Sequence, residues 1–128
     1  MRAVDTNLLV RLMTRDNPTQ VAAAEIFVEK GAWVPHLVLA EATWVLDSVY
    51  DRSPQAIALA VEMLLDHEHL TIQDPETVTA AIQRFREHPN VGFSDCLILE
   101  TSRRAGHLPL GSFDHRLGKL PDTERLRG

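Results

Sequence analysis

The stretch RAVDTNLL, residues 2–9, decides the fold. Its apolar start ends at Asp5, after which Leu8, Leu9 and Leu12 recur at the spacing of a helix. A short strand that leads directly into a helix is typical of α/β proteins, which bind their ligands at the carboxyl ends of the strands. The sequence therefore places an acidic side chain, Asp5, where such a protein carries its site.

Short strands and helices alternate along the rest of the chain. Apolar segments predict strands at residues 32–34, 70–72 and 108–113, with a further edge strand at residues 123–126. Helices are predicted to begin at Asn17-Pro18, Leu37, Ser53-Pro54, Asp74-Pro75 and Ser94-Asp95. No linker or repeat divides the chain, so we expect residues 1–128 to form a single α/β domain, in which a mostly parallel central sheet carries helices on both faces.

The composition is that of an ordinary globular domain. The chain has a single cysteine, Cys96, and no stretch of about 20 apolar residues that could span a membrane. A charged residue as early as Asp5 interrupts the apolar core that a signal peptide needs, so we expect a cytoplasmic protein. The net charge of −5 argues against binding nucleic acid, unless the acids are gathered around metal ions that reverse the local charge.

Four acids occupy positions that a metal site would use. Asp5 and Asp114 end predicted strands, and Asp95 opens a predicted helix. Glu41 lies within the helix of residues 37–50, whose apolar residues on nearly every side predict burial, and a buried carboxylate needs a partner or a metal ion. Singly, each aspartate is better explained as a helix cap than as a catalytic residue. In a parallel sheet, however, the four acids would converge on one crevice, and oxygen-only ligands favour Mg²⁺ or Mn²⁺.

Polar and basic neighbours extend the candidate site. Asn7 and Ser112 each lie two residues from an acid and are expected to orient it, although turn chemistry explains them as well. Lys30 and Lys119 are the only lysines, and arginine is the better side chain for bidentate phosphate contacts. The candidates for contacts to a substrate backbone are Arg11, Arg15, Arg103, Arg104 and Arg116.

Four short motifs, taken in order, resemble those of PIN domains, and especially the VapC type of toxin ribonuclease. They are VDTNLL at residues 4–9, LAE followed by WVL within residues 39–46, FSDCLI at residues 93–98 and SFDHRL at residues 112–117. Each contains one acid, and their order and spacing agree over nearly the whole chain. The resemblance implies a three-layer α/β/α fold and a site for Mg²⁺ or Mn²⁺ formed by the four acids, with Asn7 and Ser112 in support.

The resemblance also implies a function. VapC-type proteins are metal-dependent endoribonucleases that act as the toxins of type II toxin–antitoxin pairs, usually as homodimers held by an antitoxin. The apolar faces of residues 8–13 and 37–50 would offer a groove for that partner. Two alternatives stay open: a PIN nuclease that processes RNA without an antitoxin, and a non-enzymatic receiver-like signalling module. The chain lacks the paired acids after its first strand, and the lysine after its last strand, that a receiver-like module needs.

Overall fold

The computed structural model describes residues 1–128 and contains six helices and five short strands. In chain order the elements are β1 (Arg2–Ala3), α1 (Thr6–Thr14), α2 (Pro18–Val28), β2 (Ala32–Val34), α3 (His36–Ser48), α4 (Pro54–Asp66), β3 (Leu70–Ile72), α5 (Pro75–Glu87), α6 (Phe93–Ala105), β4 (Leu110–Ser112) and β5 (Thr123–Arg125), with a 3-10 turn at Leu117–Lys119. No helix combines the length and the apolar composition of a membrane span.

Local sequence sets most of the helix boundaries. Asn17 accepts a hydrogen bond from the Gln20 N–H (3.1 Å) before α2, and Ser53 accepts one from the Ala56 N–H (3.1 Å) before α4. A proline follows each of these caps and opens its helix with a fixed φ. Gly106 ends α6 with a φ of 82°, in the left-handed region that glycine adopts without strain.

All strand pairs are parallel, as the alternating pattern predicted. β1, β2 and β3 form a three-stranded sheet in that order, while β4 and β5 pair as a separate two-stranded unit. The strand expected at residues 108–113 is shorter, because Pro109 has no N–H to donate to a ladder. The edge strand expected at residues 123–126 is confirmed as β5. The fold is the expected three-layer α/β/α arrangement.

The core is formed where the helices pack on the three-stranded sheet. The helices and β2 contribute its fully buried side chains, for example Leu9, Val34, Leu39, Val61, Val78 and Leu99. α3 packs against both α1 and α6. This central helix therefore connects the beginning of α1, next to Asp5, with the first turn of α6, which contains Asp95.

The expectation that α3 is buried on nearly every side is wrong. Leu39, Ala42 and Leu46 face the core, but Leu37 is 70% exposed and Trp44 is 59% exposed. Glu41 is exposed as well, and residues 37, 41 and 44 share one face of the helix. α3 therefore presents a mixed apolar and acidic face to the outside.

Candidate active site

The first pair of acids lies where α1 begins beside α3. Asp5 caps α1, and its Oδ1 accepts a hydrogen bond from the Leu8 N–H (2.8 Å). The Thr6 hydroxyl donates to Oε2 of Glu41 (3.1 Å). Glu41 is therefore held next to the residue that follows Asp5, although 35 positions separate Thr6 from Glu41 in the chain.

The second pair consists of Asp95 and Asp114. Asp95 lies in the first turn of α6, where the helix dipole favours a negative charge, and Gly92 rather than Ser94 occupies the cap position. Burial raises the pKa of Asp95, and the negative charge of the nearby Asp114 raises it further. The two carboxylates are therefore close enough to repel each other.

Hydrogen bonds fix the position of Asp114. Its Oδ1 accepts from the N–H groups of Arg116 (2.9 Å) and Leu117 (2.8 Å). The Ser112 hydroxyl accepts from the N–H of Asp114 (3.0 Å), so Ser112 positions this acid through its backbone rather than its carboxylate. Asn7, the other expected support, lines a shallow depression between α1 and α2.

A cleft of about 370 Å³ extends from the second pair towards α3. Asp95, Asp114 and Arg116 line it, together with Trp44 and Asp47 of α3. Glu41 lies one turn before Trp44 on the same face of that helix. The exposed face of α3 therefore runs from the Asp5–Glu41 pair to the cleft.

The acids lie in two groups along α3 rather than in one cage of four: Glu41 lies against Thr6, the residue after Asp5, and Asp95 lies near Asp114. No three of the His, Cys, Asp and Glu side chains lie together as a group that could hold a metal ion. The structure thus brings Glu41 to the start of α1 and Asp114 to Asp95, and leaves the two pairs apart.

A family model for the PIN domain matches residues 2–122. The chain belongs to the PIN-domain family. The match covers all four acidic motifs, and proteins with a PIN domain are in general metal-dependent nucleases. This membership replaces the receiver-like alternative. No curated protein matches the chain closely enough to count as a relative.

In this PIN domain the arginine side chains form ion pairs with acids other than the four site acids. None of the four acids forms a salt bridge. Four of the five arginines expected to contact a substrate backbone are instead paired elsewhere: Arg11 with Asp16 (3.0 Å), Arg15 with Glu25 (2.7 Å), Arg103 with Asp122 (2.6 Å) and Arg104 with Glu76 (3.3 Å). Arg116 has no carboxylate partner, lines the cleft, and reaches the carbonyl of Asn90 (3.5 Å).

The donor set of the PIN domain fits a hard divalent cation. Asp95 and Asp114 bring two repelling carboxylates together without a basic partner, so a cation would supply the missing positive charge. Cys96 adds no sulfur ligand, because it is fully buried and burial raises the pKa of its thiol to about 12. The oxygen-only set is the kind that Mg²⁺ and Mn²⁺ prefer.

Sequence reasoning missed three residues of the site. Thr6 carries the hydrogen bond to Glu41, and Trp44 and Asp47 line the cleft. Thr6 lies within the first motif, directly after Asp5, so its position was a signal. Trp44 and Asp47 lie one and two turns after Glu41 on α3, but the apolar composition of this helix concealed which face is open.

Proposed function

We propose that this PIN domain is a Mg²⁺- or Mn²⁺-dependent endoribonuclease that acts in the cytoplasm as the toxin of a type II toxin–antitoxin pair. The observation that carries the nuclease part is the Asp95–Asp114 pair, two adjacent carboxylates without a basic partner in a cleft that also contains Arg116. An acid with a raised pKa that lines a cleft, as Asp95 does, is typical of catalytic sites. The resemblance of the four motifs to VapC-type proteins supports the toxin part.

The reaction is hydrolysis of a phosphodiester bond of RNA. An oxygen of water loses a proton and forms a bond to phosphorus, and the bond from phosphorus to the leaving ribose oxygen breaks as that oxygen gains a proton. A bound cation supplies positive charge that stabilises the negative charge developing on the phosphate. In this proposal a bound cation draws Asp5 and Asp95 together from their separate positions and is held by both, while Glu41 assists them or orients the water.

The other side chains of the cleft complete the proposal. Asp114 helps to hold a second cation or positions water, and its backbone is fixed by Ser112. Arg116 donates hydrogen bonds to phosphate oxygens, since its guanidinium is the one among the expected arginines without a carboxylate partner. Substrate binding to this acidic cleft thus depends on cations as well as on Arg116.

Cleavage of RNA by Asp5→Asn tests the nuclease proposal. We expect wild-type protein to cleave single-stranded RNA with Mg²⁺ or Mn²⁺ and not with a chelator. Asp5→Asn should be slower by at least about 100-fold, because a ligand charge is lost. Asp66→Asn is the matched control, since Asp66 is exposed at the end of α4 and does not line the cleft. A folded Asp5→Asn protein as fast as wild type contradicts the assignment.

Growth measurements test the toxin part separately. Leu37 and Val49 leave apolar surface exposed at the two ends of α3, 70% and 68% of each side chain, and this surface supports docking of a second copy or an antitoxin. We expect expression to stop bacterial growth, co-expression of the protein encoded beside it to restore growth, and ultracentrifugation to show a homodimer. An active ribonuclease without these properties would instead be an RNA-processing PIN nuclease.

A further inference from the structure

Trp44 is an exposed aromatic residue inside the cleft that contains Asp95 and Asp114. It is 59% exposed, and it lines the cleft together with Arg116 and Asp47. Leu37, on the same face of α3, is more exposed, at 70%, but does not line the cleft. An indole leaves a large apolar ring face available for contact, so its position beside the acids calls for a ligand with a flat apolar surface.

The charges of the cleft favour a nucleotide over a protein as that ligand. Asp47, Asp95 and Asp114 line the cleft and only Arg116 opposes them among the lining residues. A protein surface placed over these carboxylates would desolvate them without compensation. The phosphate of a nucleotide is accompanied by cations and accepts hydrogen bonds from Arg116. Its flat base stacks on an aromatic side chain.

We propose that Trp44 is the stacking residue for one unpaired base of the RNA, next to the phosphodiester bond that is cleaved. This inference rests on the proposed ribonuclease function and adds a specificity-determining residue to it. A base held in a duplex has both faces covered by its neighbours, so only an unstacked base reaches the indole. Stacking on Trp44 then places the adjacent phosphate near Arg116 and the Asp95–Asp114 pair.

Cleavage of matched oligonucleotides by Trp44→Leu tests the stacking. One RNA oligonucleotide carries all its bases, and the others each carry an abasic site at one position flanking the cleaved bond. We expect Trp44→Leu to lower kcat/KM about 10-fold on the complete RNA, because a leucine cannot stack, and Trp44→Phe to lower it less. On the RNA whose stacked base is missing, wild type and Trp44→Leu should be equal. Met63→Ala is the control, because Met63 is an exposed apolar residue of α4 that does not line the cleft, and it should behave as wild type throughout.

Fluorescence provides a readout that does not require cleavage. The chain has two tryptophans, so Trp33→Phe leaves Trp44 as the only one. We expect single-stranded RNA to quench the emission of this variant, and RNA lacking the stacked base to quench it less. Absence of both cleavage and quenching overturns the ribonuclease proposal and this inference together. Quenching without cleavage leaves the base site standing and overturns the catalytic part.

Three results overturn the inference alone. One is cleavage by Trp44→Leu at the wild-type rate on every oligonucleotide. Another is a loss of rate that stays the same when the base is removed, since this would show that Trp44 supports the fold rather than the base. The third is a wild-type dimer that Trp44→Leu converts to a monomer with unchanged kinetics, which would assign Trp44 to a contact between two copies of the chain.

Discussion

Two carboxylates of α6, Asp95 and Glu100, have opposite surroundings. Glu100 is 5% exposed and accepts a hydrogen bond from Nε of Arg84 (2.7 Å), while Arg103 lies within 3.5 Å of its other oxygen. Asp95 is half-buried, has no basic partner, and has the carboxylate of Asp114 nearby. One helix thus carries both a neutralised acid and an acid placed beside a like charge.

The difference separates structural from functional charge. Glu100 joins α6 to Arg84 of α5, and through Arg103 it connects with Asp122, next to β5. These contacts stabilise the packing of α5, α6 and the residues next to β5, and they neutralise the charges of the side chains that form them. Asp95 gives the fold no such contact, since an ionised carboxylate near another one destabilises the folded state. An arrangement that costs stability is expected where function requires it.

The largest effect we predict is on activity, and of the two acids of α6 only Asp95 should show it. Asp95→Asn should lower the rate of RNA cleavage by at least about 100-fold, because it removes a carboxylate proposed to hold the cation. Glu100→Gln, assayed at a temperature where it is fully folded, should cleave at close to the wild-type rate. Equal losses in the two variants would remove the distinction between the two acids.

The next effect is on stability, and it should fall on Glu100. Glu100→Gln should lower the free energy of unfolding by about 3 kcal/mol, because it leaves the largely buried Arg84 without its counter-charge. Urea unfolding followed by circular dichroism measures this value. Glu124→Gln is the control, since Glu124 is exposed on β5 and forms no salt bridge, and its effect should stay within about 0.5 kcal/mol. Equal stability of the two variants would show that the Glu100 contacts contribute little.

The sequence predicted best those features that depend on residues close to one another in the chain. The starts of α2 and α4 follow from Asn17-Pro18 and Ser53-Pro54, and the end of α6 follows from Gly106. The candidate site acids were predicted for a related reason. Asp5 lies two residues after β1 and caps α1, and Asp114 lies two residues after β4.

Packing between distant segments decided what the sequence did not reveal. Ser94 is a good cap residue, but α6 begins earlier, because Phe93 is buried against Phe85 of α5 with the ring centres 5.9 Å apart. The partners of the arginines depend on which helices are neighbours, as in the pair of Arg104 with Glu76. The open face of α3 was hidden for the same reason, since apolar residues occur on both its buried and its exposed side.

The smallest effect we predict is a gain in stability on removal of the Asp95 charge. The pKa of Asp95 in the folded protein is raised by burial and by Asp114, so its ionised form is less stable in the folded than in the unfolded chain. The stabilisation of the folded state by the protonated Asp95 side chain is fully present below the unfolded pKa of an aspartate, about 3.9. It is lost as the pH rises through the raised pKa of Asp95 in the folded protein. Without added metal, Asp95→Asn should therefore melt at a slightly higher temperature than wild type at pH 7, and the two should converge towards pH 4.

Saturating Mg²⁺ should raise the melting temperature of wild type more than that of Asp95→Asn, because a cation that binds only the folded state stabilises it. A variant that melts below wild type at pH 7 would show that the carboxylate of Asp95 has a structural partner after all, as Glu100 has.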